Sequence, residues 1–315
     1  MSKVAVGLIS LVLTSVSFAQ TTVYWTGNED RWGGGSQTGT ADDNFSLTPG
    51  GADWKKVSAG ETYHHVYDRS PAGLMPGANY TVSMNRANQT IASMALVGSG
   101  GDGFTFNTVG NNSLGMRLAG PVTASDGWHG FLNGGGNSLA LTTDITFDVA
   151  AGAGVTLGYP LTGTFGITKT GSGSLLMVGD HLHSGETGVS GGIFGGNGSL
   201  GGNLGLASGT RWHFDEAFTL SVAGTTTFSH ASFGIADLVG LDSSTAEGTY
   251  TLITGTVVGN FDNVGWVNAA DIGGGKSAYF EVGGLNLIVV PEPSIFALAG
   301  VGLAGLLLIR RRGTG

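Results

Sequence analysis

The stretch GITKTGSGSLLMVGDHLHSGETGVSGGIFGGNGSLGGNLGLASGT, Gly166 to Thr210, decides how this 315-residue chain folds. Its apolar positions, Leu175, Met177, Val189, Ile193, Leu200 and Leu204, are separated by clusters of glycine. Glycine is the poorest helix former after proline, at a cost of about 1 kcal/mol per residue against alanine. A helix is therefore not expected here. Residues two apart, such as Leu175 and Met177, share one side of an extended strand. Strands this short cannot bury an apolar side alone and must stack on neighbours of the same kind.

The same period of two continues outward along the chain. Val23 and Trp25, Phe104 and Phe106, Ile145, Phe147 and Val149, Phe218, Leu220 and Val222, and Leu285, Leu287 and Val289 each place apolar groups on one side. Between them lie turn clusters such as Gly98 to Gly103, Gly134 to Gly136, Gly195 to Gly198 and Gly273 to Gly275. The chain has 59 glycines and only 11% charged residues, while its 41% hydrophobic residues suffice for a packed core and exclude a disordered chain. The expected fold is all-β. A right-handed parallel β-helix or irregular solenoid fits best, and a Gly-rich antiparallel β-sandwich is the alternative.

The central stretch resembles the autotransporter-associated β-strand repeat, over about one copy. Lys169, Thr170, Gly171, Gly173 and Leu175 match its opening; Gly185 and Gly188 match its turn, and Gly192 and Phe194 its next strand. Leu182 stands where the family has an aromatic residue. The resemblance implies an extracellular β-helix stalk. Trp25, Trp32, Asn44 and Trp54 look like the opening of other exported proteins with these repeats, and Gly248 to Ile253 with Tyr279 to Val290 look like their last strands. On this reading residues 20–290 form one extracellular β body.

Both ends carry targeting features. Met1 to Ala19 has a basic start at Lys3, an apolar run from Val4 to about Val16, and small residues Ser17 and Ala19 at a cleavage site before Gln20. Residues 1–19 are thus expected to be a signal peptide removed by signal peptidase. At the other end, Pro291-Glu292-Pro293 precedes an apolar segment at 294–309 and the cluster Arg310, Arg311, Arg312. As a helix that segment is about 24 Å long, which spans a bilayer with slight thinning, the arginines staying on the cytoplasmic side. Residues 291–315 resemble the PEP-CTERM sorting signal. The resemblance implies transient anchoring in the inner membrane, processing by an exosortase-type enzyme near Pro291 to Pro293, and then location at the cell surface or outside it. Gly300, Gly302 and Gly305 satisfy a dinucleotide-loop spacing, but neither a preceding strand nor a βα unit accompanies them.

Chemistry is harder to find between the ends. Formal net charge is −9, and four of the thirteen basic residues lie in the terminal segments, so the body repels phosphate backbones and nucleic acid is not an expected partner. The absence of cysteine excludes disulfides and thiolate sites. Gly188, Ser190 and Gly192 spell a nucleophile-elbow pattern, which needs a strand feeding a helix and is better read as a repeat turn. His181 and His183 share one side of a strand and could share a metal, but no third ligand has matching spacing, and the pair reads as exposed beside a turn. His64 and His65 point to opposite sides. Arg117, Arg211, Asp144 and Asp148 could supply a glycan-cleaving site, though nothing in their spacing marks them. Trp128, between Gly127 and His129, is the aromatic residue best placed for exposure and contact with a glycan. No cofactor, metal or catalytic residue is expected. The leading reading is a non-enzymatic structural or adhesive protein among exopolysaccharide; the alternatives are a carbohydrate-binding adhesin and a glycan-active hydrolase or lyase.

Overall fold

The computed structural model describes residues 21–25, 31–32, 45–48, 62–69, 80–84, 90–108, 116–132 and 138–292. Strands dominate; the only helical pieces among them are the 3₁₀ turns Ile235–Asp237 and Trp266–Asn268. Pairing is parallel through the middle of the molecule. In one ladder Val122–Ser125, Ile145–Val149, Ile167–Thr170, Thr187–Val189 and Leu204–Leu206 lie side by side. A second ladder joins Tyr80–Met84, Asp102–Thr108, Trp128–Leu132, Gly154–Leu157, Ser174–His181 and Ile193–Leu200. A third begins with Met116–Leu118, Leu139–Leu141 and Leu161–Thr162. The long strands Ser174–His181 and Ile193–Leu200 bend into it, and Leu200 there meets Val222.

Each inward residue meets an inward residue on the next turn of the chain. Ile145 stands beside Ile167, Ile167 beside Thr187, and Thr187 beside Leu204, a repeat of about 20 residues. This is the parallel pairing of a β-helix or solenoid, and the antiparallel sandwich does not account for it. The stacking explains how strands of three to five residues survive, because every inward side chain lands on an inward side chain of the neighbouring turn. One buried cluster runs from Val23 to Val289.

Among the described residues, antiparallel pairing between strands is confined to the two ends, apart from a single bridge between Ser99 and Asp102. Phe45–Ser46 lies antiparallel on Thr22–Trp25 at the start. At the finish, Gly248–Val258, Leu285–Pro291, Lys276–Val282 and Ala270–Gly273 form an antiparallel sheet. Behind it Phe228, Phe233, Phe261 and Phe280 make an aromatic plug, with ring centroids 4.6 Å apart for Phe228 and Phe233 and 5.9 Å for Phe233 and Phe280. A solenoid end otherwise offers an open row of backbone donors and acceptors to other chains, and such a cover removes it.

The motif at Lys169 gains a structural role. Thr168 and Thr170 point outward, so the alternation sends Lys169 inward, where it is fully buried in a column between Phe147 and Val189. Its Nζ donates to the carbonyls of Thr170 (2.7 Å), Gly171 (2.8 Å) and Gly191 (3.1 Å). Burial lowers its pKa to about 8. Gly171 sits at φ 72°, and a Cβ there would lie 2.2 Å from the Val149 carbonyl oxygen, so the turn demands glycine.

The segment at 294–309 lies outside the described residues, as do Ala19, Gln20, Asn44 and Trp54. No helix among the described residues is long and apolar enough to cross a membrane.

Candidate functional site

Trp128 sits at the start of Trp128–Leu132 with 44% of its surface exposed. The chain reaches it through a constrained turn. Asp126 is at φ 52°, a left-handed conformation uncommon for a side chain larger than glycine. Its own carboxylate holds it there: Oδ2 accepts from Gly100 N–H (3.0 Å), and Oδ1 accepts from Gly101 N–H (3.3 Å) and Gly127 N–H (2.8 Å). The carboxylate thus laces one turn of the coil to the turn before it.

A register shift between Trp128 and Gly130, with the extra residue of the bulge on the facing stretch between Asp102 and Thr105, re-aims the start of the strand. Two buried polar side chains support it from within. Arg69, 4% exposed, donates from Nη1 to the Gly103 carbonyl at 2.8 Å and has Nη2 3.9 Å from Asp102 Oδ2. His129 is fully buried, stacked on Phe104, and accepts at Nδ1 from Phe104 N–H while Nε2 faces the Asp126 carbonyl at 3.0 Å. Burial depresses the His129 pKa. The neutral ring, protonated at Nε2, satisfies both contacts at once.

The indole itself is pinned. Nε1 donates to Thr156 Oγ1 at 2.8 Å. Its six-membered ring occupies the space over Gly154, where a Cβ would come within 2.2 Å of Cε3 and 2.3 Å of Cζ3. One face therefore rests on backbone, and exposure falls on the other.

Other sequence candidates land elsewhere. His181 and His183 are not exposed as expected: both are fully buried inside the coil, because period two aims them inward. His181 Nδ1 accepts from Leu161 N–H, and His183 Nε2 lies 2.9 Å from Thr187 Oγ1. Their remaining ring nitrogens, Nε2 of His181 and Nδ1 of His183, have no hydrogen-bond partner. Burial lowers the pKa of both, that of His181 to about 4. No group of three or more His, Cys, Asp or Glu among the described residues is placed to hold a metal ion. His65 is buried and His64 only partly so, in keeping with opposite sides of a strand. Ser190 Oγ donates to the Lys169 carbonyl and Ser190 N–H bonds the same oxygen, so its hydroxyl serves a turn. Asp144 caps Gly166 N–H and Asp148 accepts from Thr170 Oγ1, while Arg117 and Arg211 lie exposed on strands of different ladders. Sequence reasoning missed Arg69 and the turn function of Asp126; the Asp-Gly pair before Trp128 was the available signal.

Pro291 ends the last strand, paired with Lys276, and Glu292 N–H donates to the Gly275 carbonyl at 2.8 Å; both residues are exposed. Lys276 Nζ in turn bonds the carbonyls of Ser243 and Thr245. Pro293, Arg310, Arg311 and Arg312 lie outside the described residues. Residues 289–312 match the family model of the PEP-CTERM protein-sorting motif. No curated protein and no solved structure matches the chain. The motif implies an exported, exosortase-sorted protein that is membrane-anchored and then surface-located.

Proposed function

We propose that this chain is a non-enzymatic surface or extracellular-matrix protein, in which a stacked β body provides a durable presence among exopolysaccharide. In this reading signal peptidase removes residues 1–19, the segment 294–309 holds the body at the inner membrane, and an exosortase-type enzyme cuts near Pro291 to Pro293. The observation that carries it is the junction at Pro291. The last strand of the capping sheet runs directly into the matched motif, and both Pro291 and Glu292 are exposed. A processing enzyme at the membrane thus meets an accessible peptide held by a rigid sheet, without a long tether.

Further support comes from the body. The buried Lys169 and the exposed Ser190 both hold turns together, and the ends of the coil are covered. The test is replacement of Pro291, Glu292 and Pro293 by alanine in the native host, followed by fractionation. The expected result is a full-length protein retained in the membrane fraction. Release at the normal size and rate would contradict the proposal.

A further inference from the structure

We propose that the outer surface around Trp128 is a binding platform for a neutral, hexopyranose-based polysaccharide. The inference does not rest on the export route; it rests on how the ring is held. A free tryptophan on a surface loses side-chain freedom on binding, which subtracts from affinity. Here that freedom is already removed by the bond from Nε1 to Thr156 and by the seat over Gly154. The turn at Asp126, the bulge and the buried pair Arg69 and His129 fix the backbone that carries it. So much support is more than a half-exposed aromatic ring needs for folding alone.

The surroundings specify the ligand. The negatively charged π face of indole attracts the polarised C–H groups on the flat side of a pyranose ring. Beside it in the ladder stands Asp102, its side chain 45% exposed, whose carboxylate can accept from sugar hydroxyls. Thr105 and Thr156 flank Gly130 on either side. Gly130 offers no side chain, and the Leu132 side chain, on a residue 45% exposed, folds over it, so an apolar surface continues from Trp128 to Leu132. On one strand these two residues are about 13 Å apart, longer than a single sugar ring, so an extended chain is accommodated. The charge selects neutral sugars, because Asp102 and an overall −9 repel uronates and sulfated glycans.

The test uses the full chain, solubilised in mild detergent, and measures retention on insoluble cellulose and insoluble mannan as neutral probes and on immobilised alginate as an anionic one. We expect retention on at least one neutral glycan and little on alginate. Trp128→Ala should weaken that retention at least tenfold. Trp128→Phe, which keeps a ring but loses the bond to Thr156, should fall between the two. Melting temperatures within a few degrees of the wild type would show that the variants are folded. The proposal is overturned if neither neutral glycan is retained, if alginate is retained as well as they are, or if Trp128→Ala binds like the wild type. It is also overturned if the full chain self-associates in a concentration-dependent way that Trp128→Ala abolishes, since a second copy would then be the occupant.

Discussion

The first turns of the coil and the middle turns solve the same packing problem differently. Near the start Met94 finds its neighbour in Val122, 28 residues on, whereas in the middle Thr187 finds Leu204 after 17. Longer turns are accompanied by a ring-filled interior. Trp25, Phe45, Tyr67, Phe104, Phe106 and Phe131 pack there with centroids 4.7 to 6.4 Å apart. In the middle the inward columns are largely aliphatic, such as Ile145, Ile167 and Leu204, or Leu157 and Met177. Turn length and interior side-chain volume therefore go together, since a solenoid interior is packed to the density of a crystal. Trp128 lies where the two styles meet.

That contrast can be broken most forcefully at Phe106, fully buried against Tyr67 and Phe131 at centroid distances of 4.8 and 4.7 Å. Phe106→Ala should cost about 4 kcal/mol by the cavity it leaves, against about 3 kcal/mol for Leu204→Ala in an aliphatic column. Urea denaturation measures both, and a reversed order would show that the rings are not close-packed.

Acid attacks the middle through its buried histidines. In the unfolded chain His181 takes up a proton near pH 6.5, but in the fold only near 4, so stability is complete above 6.5 and falls as pH drops toward 4. This one group accounts for a loss of about 3 kcal/mol across that window. His181→Leu, facing Leu200 across the ladder, should make the decline shallower in a circular-dichroism titration.

A smaller effect is expected at Lys169, where Lys169→Met keeps the apolar stem but drops three hydrogen bonds to carbonyls. A loss of about 2 kcal/mol is expected, with the damage localised to the turns at Gly171 and Gly191 in hydrogen exchange. Least affected is Trp128→Ala, half-exposed, at about 1 kcal/mol or less in thermal unfolding.

How much of this was legible from residues alone follows from what period two can encode. Phe104 with Phe106, Ile145 with Phe147 and Val149, and Leu285 with Leu287 and Val289 are all buried as their alternation demanded. Alternation does not distinguish parallel from antiparallel neighbours, so the parallel sheet was favoured over a sandwich through the shortness of the strands and the resemblance of the central stretch to a β-helix repeat. The same parity, applied strictly, would have sent Lys169, His181 and His183 inward; the polarity of the two histidines suggested the surface instead. Trp128 was legible as an exposed ring from Gly127 beside it. Its pin on Thr156 was not, because that contact depends on which residue of the next turn falls alongside, and the parallel register that sets Trp128 beside Gly154 joins residues distant in the chain.

The account depends most on turn-over-turn stacking, and a chain without native cysteine allows a clean test. Thr146 and Thr168 are direct partners on adjacent turns, at a spacing a disulfide can bridge. The double variant Thr146→Cys with Thr168→Cys should close a disulfide under mild oxidation, seen as a shift on a non-reducing gel. Thr146→Cys with Gly188→Cys, two turns apart, should not. Equal closure of both pairs, or of neither, would contradict the stacked coil.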